Sequence, residues 1–360
     1  MNIRNSIAVI AALLPLSAVG QTRIAPSDPM LTYVGRIVKS NPKSYRFSYP
    51  GTTVRANFDA TGLKLHCKPG SGYFVVRIDD GEPFKVAFRG ERDSLVQVAT
   101  ALPRGRHSLM AMYSVEGYEY LPEFRGLVLD GDGRLLEPDA LPERKIEFIG
   151  NSITCGYGSE SVDPDEHFSF ETENHYIGYA QITARQLDAQ AQIVARSGIG
   201  VYRNYGGPKA GNPADNMPAQ YAYTLYNDKS EVWDFGRYTP DVVCINLGTN
   251  DLSTNGYDTK LLRQAYKDFL GTVRRCNPRA KIVFLVGSML GGKELEIAKS
   301  TLDDVVGEAN RGGDREVYRF DFTPQDGKLR YGADWHPSRW QHEKMAGELT
   351  AYLRNLMGWF

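Results

Sequence analysis

The chain has 360 residues, enough for two domains of ordinary size. Its 42 basic and 43 acidic residues leave a formal net charge of −1. This balance offers no basic surplus for nucleic acid or an anionic membrane surface, and it suits an uncharged partner.

Residues 1–20 read as a secretory signal peptide. Arg4 supplies a positive start, Ile7 to Leu16 an apolar core, and Ala18-Val19-Gly20 a small-residue cleavage site before Gln21. The run is shorter than the roughly 18 apolar residues that span a bilayer, and no later stretch reaches that length. A buried N-terminal helix is the alternative. The leader predicts a secreted or periplasmic protein without a membrane anchor.

From Gly35 to about Leu129, short alternating runs are separated by Gly, Pro and Asp. Ser44 to Tyr49, Thr53 to Phe58, Gly62 to Cys67, Tyr73 to Asp79 and Phe84 to Phe88 are examples. They recur about every ten residues, which predicts an antiparallel β-sandwich. Turn residues crowd Asp130 to Glu143, so the boundary falls there, giving a β domain over 21–140 and a second domain over 141–360. Asp130-Gly131-Asp132-Gly133 starts like a calcium loop. Its fifth position is Arg134 where an oxygen ligand is needed, so the segment reads as a turn.

Beyond Lys145 the rhythm becomes strand and helix in alternation. Strands are predicted at 145–150, 191–196, 241–247, 281–287 and 316–322, and helices at 174–189, 259–276, 293–311 and 338–357. Five such strands make a parallel sheet covered on both faces, a three-layer α/β/α domain of flavodoxin-like topology. A Gly-, Pro-, Asn- and Tyr-rich insertion over 201–233 leaves the sheet at its carboxyl edge and is expected to wall a cleft. Within it Tyr202, Asn204 and Tyr205 are candidates for sugar contact, with surface packing an equal alternative.

Three separated segments carry chemistry. A strand runs into Gly150-Asn151-Ser152-Ile153-Thr154, a second into Gly248-Thr249-Asn250-Asp251, and Asp334-Trp335-His336-Pro337 precedes the last helix. Carboxyl ends of parallel strands meet at one edge, so a hydroxyl, a carboxamide and an imidazole can converge there for acyl transfer. The alternative for Ser152 is a helix N-cap, and for Asn250 a turn residue.

These segments resemble the blocks of SGNH (GDSL-type) hydrolases, with Arg196-Ser197-Gly198-Ile199-Gly200 as the second block. Thr172 to Ala180 and Ser197 to Gly206 bring the resemblance closer to carbohydrate esterase family 2 (acetyl xylan esterase type). Members of that branch carry an N-terminal jelly-roll domain, so the resemblance implies the β-sandwich is a jelly roll. It further implies deacetylation of plant polysaccharide. Ser152 is then the nucleophile, His336 its base, and the Ser152 N–H, Gly200 N–H and Asn250 side chain the oxyanion hole.

The orienting acid departs from the family pattern. SGNH enzymes place an aspartate three residues before the histidine, and that position here is Ala333. Asp334, two residues before, either reaches the imidazole or yields to a backbone carbonyl in a Ser–His dyad. Trp335, Tyr157 and Tyr205 are the substrate-binding candidates; Trp335 and Tyr157 can either stack on a sugar ring or pack under a loop.

The leading reading is therefore an exported serine esterase acting on acetylated polysaccharide or oligosaccharide. It uses no metal or other cofactor, because no HExxH motif or clustered His/Cys ligand set is present. The alternatives are a lipid or thioester esterase of the same fold, disfavoured by the polar insertion, and a non-catalytic carbohydrate-binding protein. Cys67, Cys155, Cys244 and Cys276 match no disulfide framework and are expected to be free thiols.

Overall fold

The computed structural model describes residues 20–92, 94–226 and 228–360. The signal-peptide segment, apart from Gly20, lies outside the described residues.

The alternating runs form two six-stranded antiparallel sheets packed face to face. In Leu63–Cys67, Leu63, Leu65 and Cys67 turn inward while Lys64 and His66 are half-exposed, as the two-residue period of a strand requires. Phe47, Phe74 and Tyr113 meet edge to face, with centroids 5.2–6.2 Å apart, the arrangement that ring quadrupoles prefer. Asp130 to Gly133 is a turn between Glu123–Asp130 and Arg134–Leu136.

The second half is a five-stranded parallel sheet in the order Ala189–Ala195, Arg144–Gly150, Val242–Asn246, Lys281–Val286, Val317–Asp321. Alternate side chains feed two cores. Ile149, Ile245 and Phe284 pack under helices Thr259–Cys276 and Gly292–Arg311, while Phe148, Cys244 and Leu285 pack under Tyr179–Gln186 and Arg339–Met357. Asp258 caps Thr259–Cys276 by accepting from the Lys260 and Leu261 N–H groups. Leu262, Tyr266, Phe269, Leu270 and Val273 recur at helical spacing on its buried face. Burial of one such side chain stabilises the fold by about 1.5–3 kcal/mol. Among the described residues no helix is long and apolar enough to cross a membrane.

Two expectations change. The helix read over 174–189 is a 3-10 turn at His175–Ile177 and a helix at Tyr179–Gln186, because Gly178 between them is extended at ψ 151°. The insertion does not lie wholly along the cleft. Its hairpin, Tyr223–Leu225 and Asp228–Val232, folds back on the β domain. Arg46 pairs with Glu231 at 3.1 Å and the Tyr226 N–H donates to Ser48 Oγ at 2.7 Å.

Arg36 fastens this seam. Its fully buried guanidinium pairs with Glu147 at 3.1 Å and donates to the carbonyls of Tyr221 and Tyr223. The four cysteines are free, three of them buried.

Candidate active site

Strand Arg144–Gly150 ends in a turn that only a residue without a side chain permits. A Cβ on Gly150 would stand 2.0 Å from Thr154 Oγ1. Asn151 caps the following one-turn helix, its Oδ1 accepting from the Ile153 N–H at 3.1 Å. Ser152 is thus the first helical residue and not the cap. Its hydroxyl is free for other work, and its N–H has no acceptor within the helix.

That hydroxyl meets His336. Nε2 lies 2.9 Å from Ser152 Oγ, and Nδ1 lies 3.2 Å from the carbonyl oxygens of both Ala333 and Asp334. Carbonyls only accept, so Nδ1 carries the ring proton and Nε2 presents its lone pair to the serine O–H. Burial pushes the imidazole pKa down to about 4, against an opposing pull from the two carbonyls and the Asp334 charge. The ring is therefore neutral near pH 7, as a base must be.

The Asp334 carboxylate does not touch the imidazole. It accepts from Tyr157 Oη at 2.6 Å, the Phe168 N–H at 2.9 Å and His167 Nδ1 at 3.0 Å. These bonds hold its pKa low against the cost of burial. Asp334 serves the base through its main chain instead. Asp334 and Trp335 are consecutive left-handed residues, at φ 48° and 62°, a strained pair that aims the two carbonyls at Nδ1.

The third segment is tied to the second. Gly248, at φ 93°, lets the strand enter helix Thr249–Leu252, and a Cβ there would stand 2.6 Å from the Tyr266 hydroxyl. Asn250 Nδ2 donates one hydrogen to the Ile199 carbonyl at 2.8 Å; its second is not used by that bond. The Gly200 N–H, expected in the oxyanion hole, donates to Asn204 Oδ1 at 3.1 Å. A three-donor hole requires Asn204 to share or yield that N–H.

Asp251 and Glu116 escaped the sequence reading. The buried Asp251 carboxylate accepts from the Val201, Tyr202 and Arg203 N–H groups at 2.8–3.0 Å, fixing the chain just past Gly200. Burial raises its pKa and those three bonds oppose the rise. A lone aspartate after Asn250 gave no signal of this, because its partners lie 48–50 residues away.

The substrate candidates separate. Trp335 and Tyr205 are exposed, at 54% and 64%. Tyr157 stands behind the base, its ring 3.9 Å from that of His336 at an interplanar angle of 23°. Tyr202 is buried with its hydroxyl accepting from the Asp258 N–H, and the Asn204 amide is engaged by Gly200 and Asp215. Neither of these two is placed for sugar.

Along most of its length the chain is similar to known carbohydrate esterases. The carbohydrate esterase 2 N-terminal family matches residues 33–138, and the GDSL-like lipase/acylhydrolase family matches 148–344, more than half the chain. Cellulase/esterase CelE of Acetivibrio thermocellus is 40% identical over 332 residues, which are 92% of this chain but only 40% of that relative. An acetylxylan esterase / glucomannan deacetylase of Cellvibrio japonicus is 30% identical over 334 residues, covering 89% of this chain and 88% of the relative. The solved family two carbohydrate esterase from Clostridium thermocellum, in complex with cellohexaose, superposes with a TM-score of 0.85 at 40% identity, covering 92% of this chain and all of that one.

Proposed function

The chain belongs to carbohydrate esterase family 2, and from that premise we propose that it is an exported serine esterase. It removes O-acetyl groups from plant cell-wall polysaccharide such as xylan or glucomannan. The single observation that carries the reading is the 2.9 Å contact between Ser152 Oγ and a His336 whose other nitrogen is held by carbonyls.

The reaction follows from the tautomer. Nε2 takes the hydroxyl proton as Ser152 Oγ attacks the acetyl carbonyl, and the oxyanion forms beside the Ser152 N–H and the Asn250 amide. The imidazolium then gives its proton to the sugar oxygen as the ester C–O bond breaks, releasing the sugar hydroxyl and leaving acetyl-Ser152. Water repeats the sequence and releases acetate. The Ala333 and Asp334 carbonyls hold Nδ1–H throughout, so a Ser–His dyad suffices.

Exposed Trp335 offers an aromatic face to the apolar side of a pyranose. The relative whose structure holds cellohexaose supports a linear β-glycan as the chain presented to such a surface. The leader read over residues 1–20 supports export.

Acetate release from acetylated xylan, acetylated glucomannan and short-chain lipid esters tests the assignment. Release from the polysaccharides, abolished on the order of 10⁶-fold by Ser152→Ala, is the expected result. Equal rates on lipid esters, or undiminished release by the variant, would overturn it.

A further inference from the structure

A pair of buried glutamates lies where the β domain meets the serine turn. Glu116, just past strand His107–Tyr113, and Glu173, on the approach to His175, are 1% and 0% exposed. The Glu116 N–H donates to Glu173 Oε2 at 3.1 Å. Oxygens of both carboxyls and Cys155 Sγ all fall within 4.8 Å of one another. Two cations stand nearby: Lys85, paired with Glu160 and donating to the Glu173 carbonyl at 2.9 Å, and Arg196, paired with Asp215. Each pulls the nearer carboxyl down without offsetting the rise that burial causes.

Two carboxylates this close and this buried cannot both ionise. The hydrogen bonds say which keeps the charge. Glu116 has a donor on each oxygen, accepting from the Ser197 N–H and the Ser197 hydroxyl, each at 2.5 Å. Among the described residues Glu173 Oε1 is buried with no donor, a costly state for a carboxylate oxygen and the natural one for an acid O–H directed at Glu116. Burial pushes both carboxyls up, Glu173 well up, with the Glu116 charge adding to it. The other groups facing the pair, the Cys155 thiol and the hydroxyls of Tyr113, Tyr118, Tyr120 and Tyr157, are all raised by burial and stay neutral.

Both ends of this cluster touch the reacting groups' own segments. Ser197 opens the turn that ends at Gly200, and Cys155 closes the one-turn helix begun by Ser152. We propose that Glu116 and Glu173 share a single proton and act as positioning residues, through which the β domain clamps the Ser197–Gly200 turn against the serine helix. Loss of the proton at alkaline pH leaves two charges side by side and releases the turn. The inference rests on the esterase reading above.

The test compares wild type, Glu173→Gln, Glu173→Ala and Glu116→Gln in the full chain, with kcat and KM for acetate release followed from neutral to alkaline pH. Glutamine at 173 keeps a permanent donor toward Glu116. Glu173→Gln is expected to stay within about threefold of wild-type kcat at neutral pH and to lose the alkaline decline, whereas Glu173→Ala and Glu116→Gln fall roughly 10- to 100-fold in kcat with KM nearly unchanged. Wild-type kcat in Glu116→Gln, or an unaltered alkaline decline in Glu173→Gln, would overturn the proposal. So would one equivalent of divalent metal in the purified protein. Infrared difference spectra between wild type and Glu173→Gln read the protonated-carboxyl stretch independently of any substrate. An inactive wild type that retains the stretch refutes the esterase and keeps the shared proton, and absence of the stretch refutes the pair.

Discussion

The ring of Tyr157 stacks on the imidazole of His336 with centroids 3.9 Å apart. The same tyrosine donates its hydroxyl to Asp334 at 2.6 Å. The carboxylate two residues before the base, a candidate orienting acid, thus acts on the back wall of the base. Asp334→Asn should lower kcat less than about tenfold, against the roughly 10⁴-fold loss that follows when a true triad aspartate is replaced. Tyr157→Phe should show a similarly small effect, because the stack survives. Steady-state kinetics of the two variants check this.

In the reaction we propose, Asn250 supplies one of the donors to the developing oxyanion. Asn250→Ala should reduce kcat by roughly 10²–10³-fold. Its amide also ties Ile199 into place, so the thermal midpoint should be recorded alongside the rate. An unchanged kcat would remove Asn250 from the hole.

Acid should reach the fold's stability at a higher pH than it reaches the base. The His336 pKa is lowered to about 4, so kcat/KM should hold as pH falls through 6 and decline only near pH 4. Stability follows the same sign. His175 and His342 are also buried, lowered to about 4 and about 3. A histidine whose folded pKa is depressed binds its proton more readily in the unfolded chain, so stability is complete above the ordinary value near 6.5 and drains as pH falls toward 4. The Glu116–Glu173 pair and Asp251, raised by burial, pull the other way, as do His107 and His167, each raised by its aspartate partner. The large depressions of the three enclosed histidines set the net sign, and the thermal midpoint should drop between pH 6.5 and 4.

Arg36 and Glu147 join the two domains as a fully buried ion pair. Arg36→Ala leaves Glu147 charged and enclosed, with Gln192 and Tyr221 donating to it. Destabilisation by about 3–5 kcal/mol is expected from urea unfolding. Replacing both partners with apolar residues of matching volume should restore much of that loss.

The periodic parts of the chain were legible because their signals are local. Helix Thr259–Cys276 coincides with its reading at both ends, since Asp258 and Asn277-Pro278 bracket a five-residue apolar stripe. The five parallel strands fell within about two residues of their readings. Ser152 and His336 were likewise visible, one at a strand end and the other before a helix. What stayed hidden depends on partners distant in the chain. Glu116 and Ser197 are 81 residues apart, and the carboxylate of Asp334 finds Tyr157 and Phe168 more than 160 residues away. No spacing rule reports such encounters. The hairpin at Tyr223–Val232 escaped for the same reason, its docking surface lying on the other domain.

Orientation of the base by the Ala333 and Asp334 carbonyls has a consequence for how this enzyme can change. An acceptor that belongs to the polypeptide itself cannot be deleted by any single replacement of a side chain. A change of side chain at 334 therefore loosens Tyr157 and Phe168 but leaves the base oriented so long as the left-handed turn at 334–335 survives. Inactivating lesions in this segment should concentrate on whatever unbends that turn, and remain sparse among changes that only alter charge.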